Sequence, residues 1–158
     1  MLKCLGAASL IAAAWMVSSS LIRNYKTRLR EMEVLYDMIS YIRDNIEHLM
    51  KPLPEIFQSY SNTYLESCGF LPAVRLKGLQ QAWEGQTFTV SGETYRLINE
   101  FILNIGSGYR TEELRLCEYT LGRLRKLLDH TQADTTNQLK LYKTVPMMFA
   151  LSMILILI

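Results

Sequence analysis

Two stretches of this chain carry no charged side chain: Leu5 to Ile22 (LGAASLIAAAWMVSSSLI) and Val145 to Ile158 (VPMMFALSMILILI). They limit the fold more than any single residue does. A membrane-spanning helix needs roughly 20 apolar residues, within a range of about 17–25. The first run reaches the short end of that range. The second, about 14 residues or about 21 Å of helix, falls short of a hydrocarbon core of about 30 Å. Lys140 and Lys143 can snorkel, so that Leu139, Leu141 and Tyr142 lengthen its buried part. A hairpin or interfacial insertion is the other reading of that run. Pro146 sits in its first turn or kinks a helix that continues from the domain. The expected organisation is an N-terminal transmembrane anchor over 1–22, a helical domain over 23–144 and a C-terminal transmembrane segment over 145–158. A polar middle of about 120 residues is enough for one modest core.

Charge orients the runs. Arg23, Lys26, Arg28 and Arg30 follow the first run, against Lys3 before it; Lys140 and Lys143 precede the second. Positive residues stay cytoplasmic. Both termini are therefore expected outside the cytoplasm and the central domain inside. The competing reading is a cleaved secretory signal, with Lys3 as its basic start and Ser18-x-Ser20 as its small-residue cleavage site. The basic cluster itself reads as orientation plus attraction to anionic lipid, or as a patch for an acidic partner.

A net charge of +2 over 158 residues is too small to propose nucleic acid as a partner. Cys4, Cys68 and Cys117 have no regular spacing and do not make a disulfide framework. They read as free thiols in a reducing compartment.

The middle has helical periodicity. From Arg23 to Met50 there is no Gly or Pro, and Leu29, Met32, Leu35, Ile39, Ile42, Ile46 and Leu49 recur at steps of three and four. Pro52 and Pro54 end this helix. A second is expected over Pro54–Glu66, with Ile56, Phe57, Tyr60 and Tyr64 inward. A third covers Pro72–Glu84, with Val74, Leu76, Leu79 and Trp83 inward. Thr87–Val90 alternates like a strand, but no partner strand exists in the sequence, so it reads as a linker. Ser91 is placed to cap a fourth helix through Ile105. Thr111 is expected to cap the last helix, whose Leu114, Cys117, Leu121, Leu124 and Leu128 space as a packed seam. From His130 to Gln138 the seam fades, and the stretch reads as a solvated helix or a loop. The fold class that follows is all-α: an antiparallel helical bundle between an N-terminal and a C-terminal transmembrane helix.

No catalytic constellation is visible. His48 and His130 have no second ligand at i+3 or i+4, and Asp129 beside His130 diverges on a helix. Gly106-Ser107-Gly108 lacks the preceding strand and the Gly-Lys-Ser/Thr of a phosphate loop, and reads as a helix-to-helix turn. Of nine tyrosines, Tyr36, Tyr41, Tyr60, Tyr64, Tyr95, Tyr109 and Tyr119 read as core edges or a partner surface. No catalytic residue, metal or cofactor is expected. A small pore-forming protein would need polar faces in both runs, and the second offers only Ser152.

Several of these residues together resemble the stage III sporulation protein AB family of endospore-forming bacteria. The opening Met1-Leu2-Lys3-Cys4-Leu5-Gly6-Ala7 is similar to that family's start. So are Arg28-Leu29-Arg30 leading into an amphipathic helix, and the end of that helix at Pro52-Leu53-Pro54-Glu55. Gly106-x-x-x-Arg110 fits the family's turn before the last long helix, and the apolar tail matches. The chain departs from the pattern at Tyr109, where Asp is usual, and at Asn45, where an acidic residue is common. At the last run Pro146 and two methionines stand where glycines are expected.

The resemblance implies a non-enzymatic membrane platform, with a domain similar to the inner-membrane platform proteins of type II secretion and type IV pili. It implies a place in the channel complex joining mother cell and forespore. The expected partners are a secretion-type ATPase (stage III sporulation protein AA), other membrane subunits of that complex and the lipid bilayer. The membrane implied is the mother-cell membrane around the forespore. Arg28, Arg30, Glu55, Gly106 and Arg110 are the candidate partner contacts. An exported or tail-anchored helical binding protein or enzyme is the alternative.

Overall fold

The computed structural model describes the backbone of residues 2–49 and 51–157, and the side chains of residue 20 and residues 22–49 and 51–134. The described residues are helical, with turns and loops and no strand. The chain forms α1 (Leu2–His48), α2 (Leu53–Ser59), α3 (Thr63–Ser67), α4 (Phe70–Lys77), α5 (Leu79–Glu84), α6 (Gly92–Asn104) and α7 (Arg110–Leu157). It divides into two units, Arg28–Asp129 and Met1–Thr27 with His130–Ile158.

The central unit is organised around the apolar stripe of α1. Met32, Leu35, Met38, Ile39 and Ile42 are fully buried, and Ile46 nearly so. Leu49, expected to continue that stripe, is 57% exposed because it falls in the turn after the helix ends at His48. Ile98 and Phe101 of α6 and Cys117 and Leu124 of α7 complete the same core with full burial.

The expected second and third helices are each two. Asn62 interrupts the first pair: its side chain accepts hydrogen bonds from the N–H groups of Tyr64 (3.0 Å) and Leu65 (3.2 Å), starting α3 afresh. Gly69 (φ +81°) precedes α4, which begins at Phe70 rather than Pro72, and Gly78 (φ +88°) separates α4 from α5. Both glycines hold left-handed backbone that a side chain disfavours. The earlier start of α4 fixes its inward face as Phe70, Leu71 and Val74, and this leaves Leu76 84% exposed instead of buried.

Ser91 caps α6 as expected, accepting from Thr94 N–H at 3.3 Å. α7 starts one residue before Thr111, and the Tyr109 carbonyl accepts from the N–H groups of Glu112 and Glu113. The segment 86–91, outside the helices, carries Phe88 onto Trp83, with ring centroids 5.0 Å apart; Tyr95 stacks on Trp83 at 5.1 Å.

In the terminal unit the backbone is helical over residues 2–27 and 130–157, so the fading stretch after His130 is helix. His130 Nδ1 lies 3.1 Å from Asp134 Oδ2 one turn on. Among the described residues no helix is long and apolar enough to cross a membrane. The side chains of the two uncharged runs, apart from Ser20 and Ile22, lie outside the described residues, and the expected anchors with them.

Phe101→Ala removes a fully buried ring and is expected to lower the unfolding free energy by about 3–5 kcal/mol. Leu76→Ala is expected to change it by less than about 0.5 kcal/mol. Urea unfolding followed by circular dichroism measures both; equal losses would contradict this core.

Candidate functional site

The five candidate contacts fall into two groups at opposite ends of the central unit, about 27 Å apart along α1 at 1.5 Å per residue. At the first end, Arg28 is half-buried and its Nε donates to the Thr89 carbonyl at 3.1 Å. Arg30 is exposed and stacks its guanidinium 5.1 Å above the Tyr64 ring. Next in sequence is Glu31, 5% exposed. Its carboxylate accepts from the Tyr64 hydroxyl at 3.0 Å and from the Thr89 N–H at 2.6 Å. A buried carboxylate is tolerated only when hydrogen bonds replace its lost water. Here those bonds tie α1 to α3 and to the segment before α6. Glu31 was not among the expected residues. Its signal was its register: Glu31, Leu35, Met38, Ile42 and Asn45 follow one another at steps of four, three, four and three. Asn45, also buried, turns its amide back to the Tyr41 carbonyl at 2.8 Å.

At the second end, Arg110 reaches across to the last turn of α1. Its Nε donates to the Ile46 carbonyl at 3.1 Å, and a terminal nitrogen donates to the Glu47 carbonyl. A cation on carbonyls left open at a helix C-terminus meets the negative end of the helix dipole. Arg75 does the same for α2, donating to the Phe57 and Tyr60 carbonyls at 3.1 and 2.7 Å.

Gly106 has φ +87°, and a Cβ there would lie 2.8 Å from Leu53 Cδ1. The turn therefore needs glycine for its backbone, while the nearby Leu53 methyl is the end of a side chain that can shift. Glu55 is exposed in the first turn of α2. The structure thus brings Gly106 and Arg110 to the α1–α2 corner, which Glu55 follows. Arg28 and Arg30 belong to the other end. Tyr109, between the two turn residues, is 84% exposed.

Three protonation equilibria report on this packing. Burial, then the hydrogen bond to Glu31, pushes the Tyr64 phenol up to about 12. Burial, then the nearby Glu113 carboxylate, pushes the Cys117 thiol up to about 12. Burial, then Asp37, raises Tyr60. Open clefts lie on the surface. One, of about 460 Å³ between α2, α4, α5 and α6, is lined largely by apolar residues, among them Leu53, Phe57, Val74 and Leu79. Two more follow the seam of α6 and α7. Among the described residues no group of three or more His, Cys, Asp or Glu side chains is arranged to hold a metal ion.

A small all-helical protein is thereby defined: two long helices and a set of short ones joined by charge-assisted hydrogen bonds, with helical, charge-free runs near both ends. The family model of stage III sporulation protein AB matches residues 3–158, and the chain belongs to that family. Membership gives it a role in sporulation. No curated protein and no solved structure matches the chain.

Glu31→Ala leaves the Tyr64 hydroxyl and the Thr89 N–H without their acceptor, and is expected to destabilise the unit by about 1–3 kcal/mol. Gly106→Ala is expected to do so by a similar amount, about 1–3 kcal/mol, through backbone strain. Thermal melts of both variants test this, and unchanged melting temperatures would refute it.

The raised groups set a pH dependence. Ordinary values are 9.0 for the thiol and 10.0 for the phenol, so the folded state holds these protons more tightly than the unfolded chain does. Their contribution is complete below about pH 9 and disappears as pH rises toward about 12. The urea midpoint should be level with respect to these groups from pH 7 to 8 and fall from pH 9 upward. Cys117→Ala should remove the earliest part of that fall.

Proposed function

We propose that the chain is a non-enzymatic platform subunit of a sporulation channel complex, held in the mother-cell membrane around the forespore. In this reading the charge-free helical runs are the two anchors and both termini face away from the cytoplasm. The central helical domain, similar to the platform domains of type II secretion and type IV pilus systems, docks a cytoplasmic secretion-type ATPase, stage III sporulation protein AA. Other membrane subunits of the complex complete its contacts. The observation that carries the reading is the layout: one helical unit over Arg28–Asp129, flanked by uncharged runs with basic residues on their inner sides, in a family match that spans both runs. Helical contact surfaces rather than a reacting centre suit such a subunit.

Thiol labelling tests the topology. Cys117 is fully buried and its thiol is held protonated, so it is a poor target; Cys68 is half-buried and free. In a Cys4→Ser background, a membrane-impermeant maleimide should label Cys68 only after the membrane is opened. Labelling in intact cells, with the fold verified, would instead support export after cleavage near Ser20. Binding of the full-length chain in membranes to the purified ATPase tests the platform role, and its absence with a folded chain would remove that role.

A further inference from the structure

The two clefts between α6 and α7, of about 270 and 480 Å³, share Glu100 and Tyr119. They form one trough along the seam of the two helices. Its floor is apolar: Leu97, Leu116 and Leu127 are half-buried and rest on the core. Tyr119 stands where the clefts meet and stays 58% exposed. The walls are polarised along the trough. Toward the start of α7 stand exposed Glu100 and Glu112 and half-buried Glu113, with Arg115 the one cation among them, a net acidic end; Arg96 and Arg123 stand toward the other end, with Arg123 3.2 Å from Glu93. One turn beyond Tyr119, Gly122 is exposed in the interior of α7, and a Cβ there would meet no atom within 4 Å. A helix-interior glycine costs about 1 kcal/mol relative to alanine, and nothing in this unit requires it. It leaves the backbone open to another chain.

We propose that this trough docks an amphipathic helix of the partner protein. The helix is apolar on the face that fills the clefts and basic at the end that lies over Glu100 and Glu112. The inference rests on the platform reading for the existence of that partner. The charges select the occupant. A second copy that presents the same trough side by side and in parallel sets acidic end beside acidic end, which is repulsive. A helix carrying Lys or Arg at that end meets opposite charge, while its apolar side chains cover the floor on both sides of Tyr119.

The test uses the full-length chain in membranes and the purified ATPase, with affinity measured at low and moderate salt. Tyr119→Ala should weaken binding about tenfold, as loss of a central aromatic anchor does. The Glu100→Lys/Glu112→Lys double variant should weaken it at least about tenfold, and the remaining binding should lose its salt dependence. Leu76→Ala, at a more exposed apolar residue outside the trough, should bind as wild type. Circular dichroism establishes that each variant folds; should the double variant fail to fold, Glu112→Gln replaces it. Wild-type affinity in both trough variants overturns the inference and leaves the platform reading standing. An ATPase that fails to bind the wild-type chain overturns both. A change in the chain's own oligomeric mass, with ATPase affinity unchanged, assigns the trough to a second copy and also overturns it.

Discussion

Helices α2 to α5 are five to eight residues long. Helices that short do not persist in water, because the first turn fixes several residues for a single hydrogen bond. They exist here because α1 offers them a wall. Met32, Leu35, Met38, Ile39 and Ile42 remove their entire side-chain surface from water, and Ile56, Leu65, Phe70 and Leu71 are buried as completely in the same core. Each fully buried aliphatic side chain is worth about 1.5–3 kcal/mol. The burial is shared, so losing the stripe on α1 would leave the short helices without support.

The polar side chains of the unit largely serve the backbone. Arg110 satisfies the end of α1 and Arg75 the end of α2. Arg28 and Glu31 hold the carbonyl and the N–H of Thr89 from one side of α1, so a segment without a partner strand is fixed by two side chains instead. Three of the five candidate contacts, Arg28, Gly106 and Arg110, therefore have structural work that explains their presence without a partner. Arg30 and Glu55 remain exposed. The α6–α7 seam then gains weight as a contact surface, since exposed Tyr119 and Gly122 have no structural explanation within the unit.

The architecture was legible where periodicity was long. The stripe of α1, the Ser91 cap and the seam of α7 were all readable from spacing, because long amphipathic helices repeat their signal over many turns. Short helices repeat it once. A single pattern over Pro54–Glu66 hid the break that Asn62 makes, and a start misplaced from Phe70 to Pro72 turned Leu76 inward. Glu31 was passed over because charge ordinarily marks the outer face. Only its tertiary partners, Tyr64 and Thr89, distant by 33 and 58 residues in sequence, make the inner position stable. Family resemblance pointed to the Gly106–Arg110 turn, but only the positive φ of Gly106 and the contacts of Arg110 with the end of α1 show why that turn needs those residues.

Charge is divided between the two units in a way that bears on the proposed role. Lys3, Arg23, Lys26, Lys140 and Lys143 stand in the terminal unit against Asp134 alone. The overall net charge is only +2, so the Arg28–Asp129 unit carries a slight acidic excess. An anionic lipid surface attracts basic residues by about 1 kcal/mol each and repels acidic ones. The same lipid charge that favours the basic flanks of the apolar runs therefore disfavours Glu100 and Glu112 lying against it. Under the proposed membrane reading, this charge division favours the acidic end of the α6–α7 seam facing protein rather than lipid.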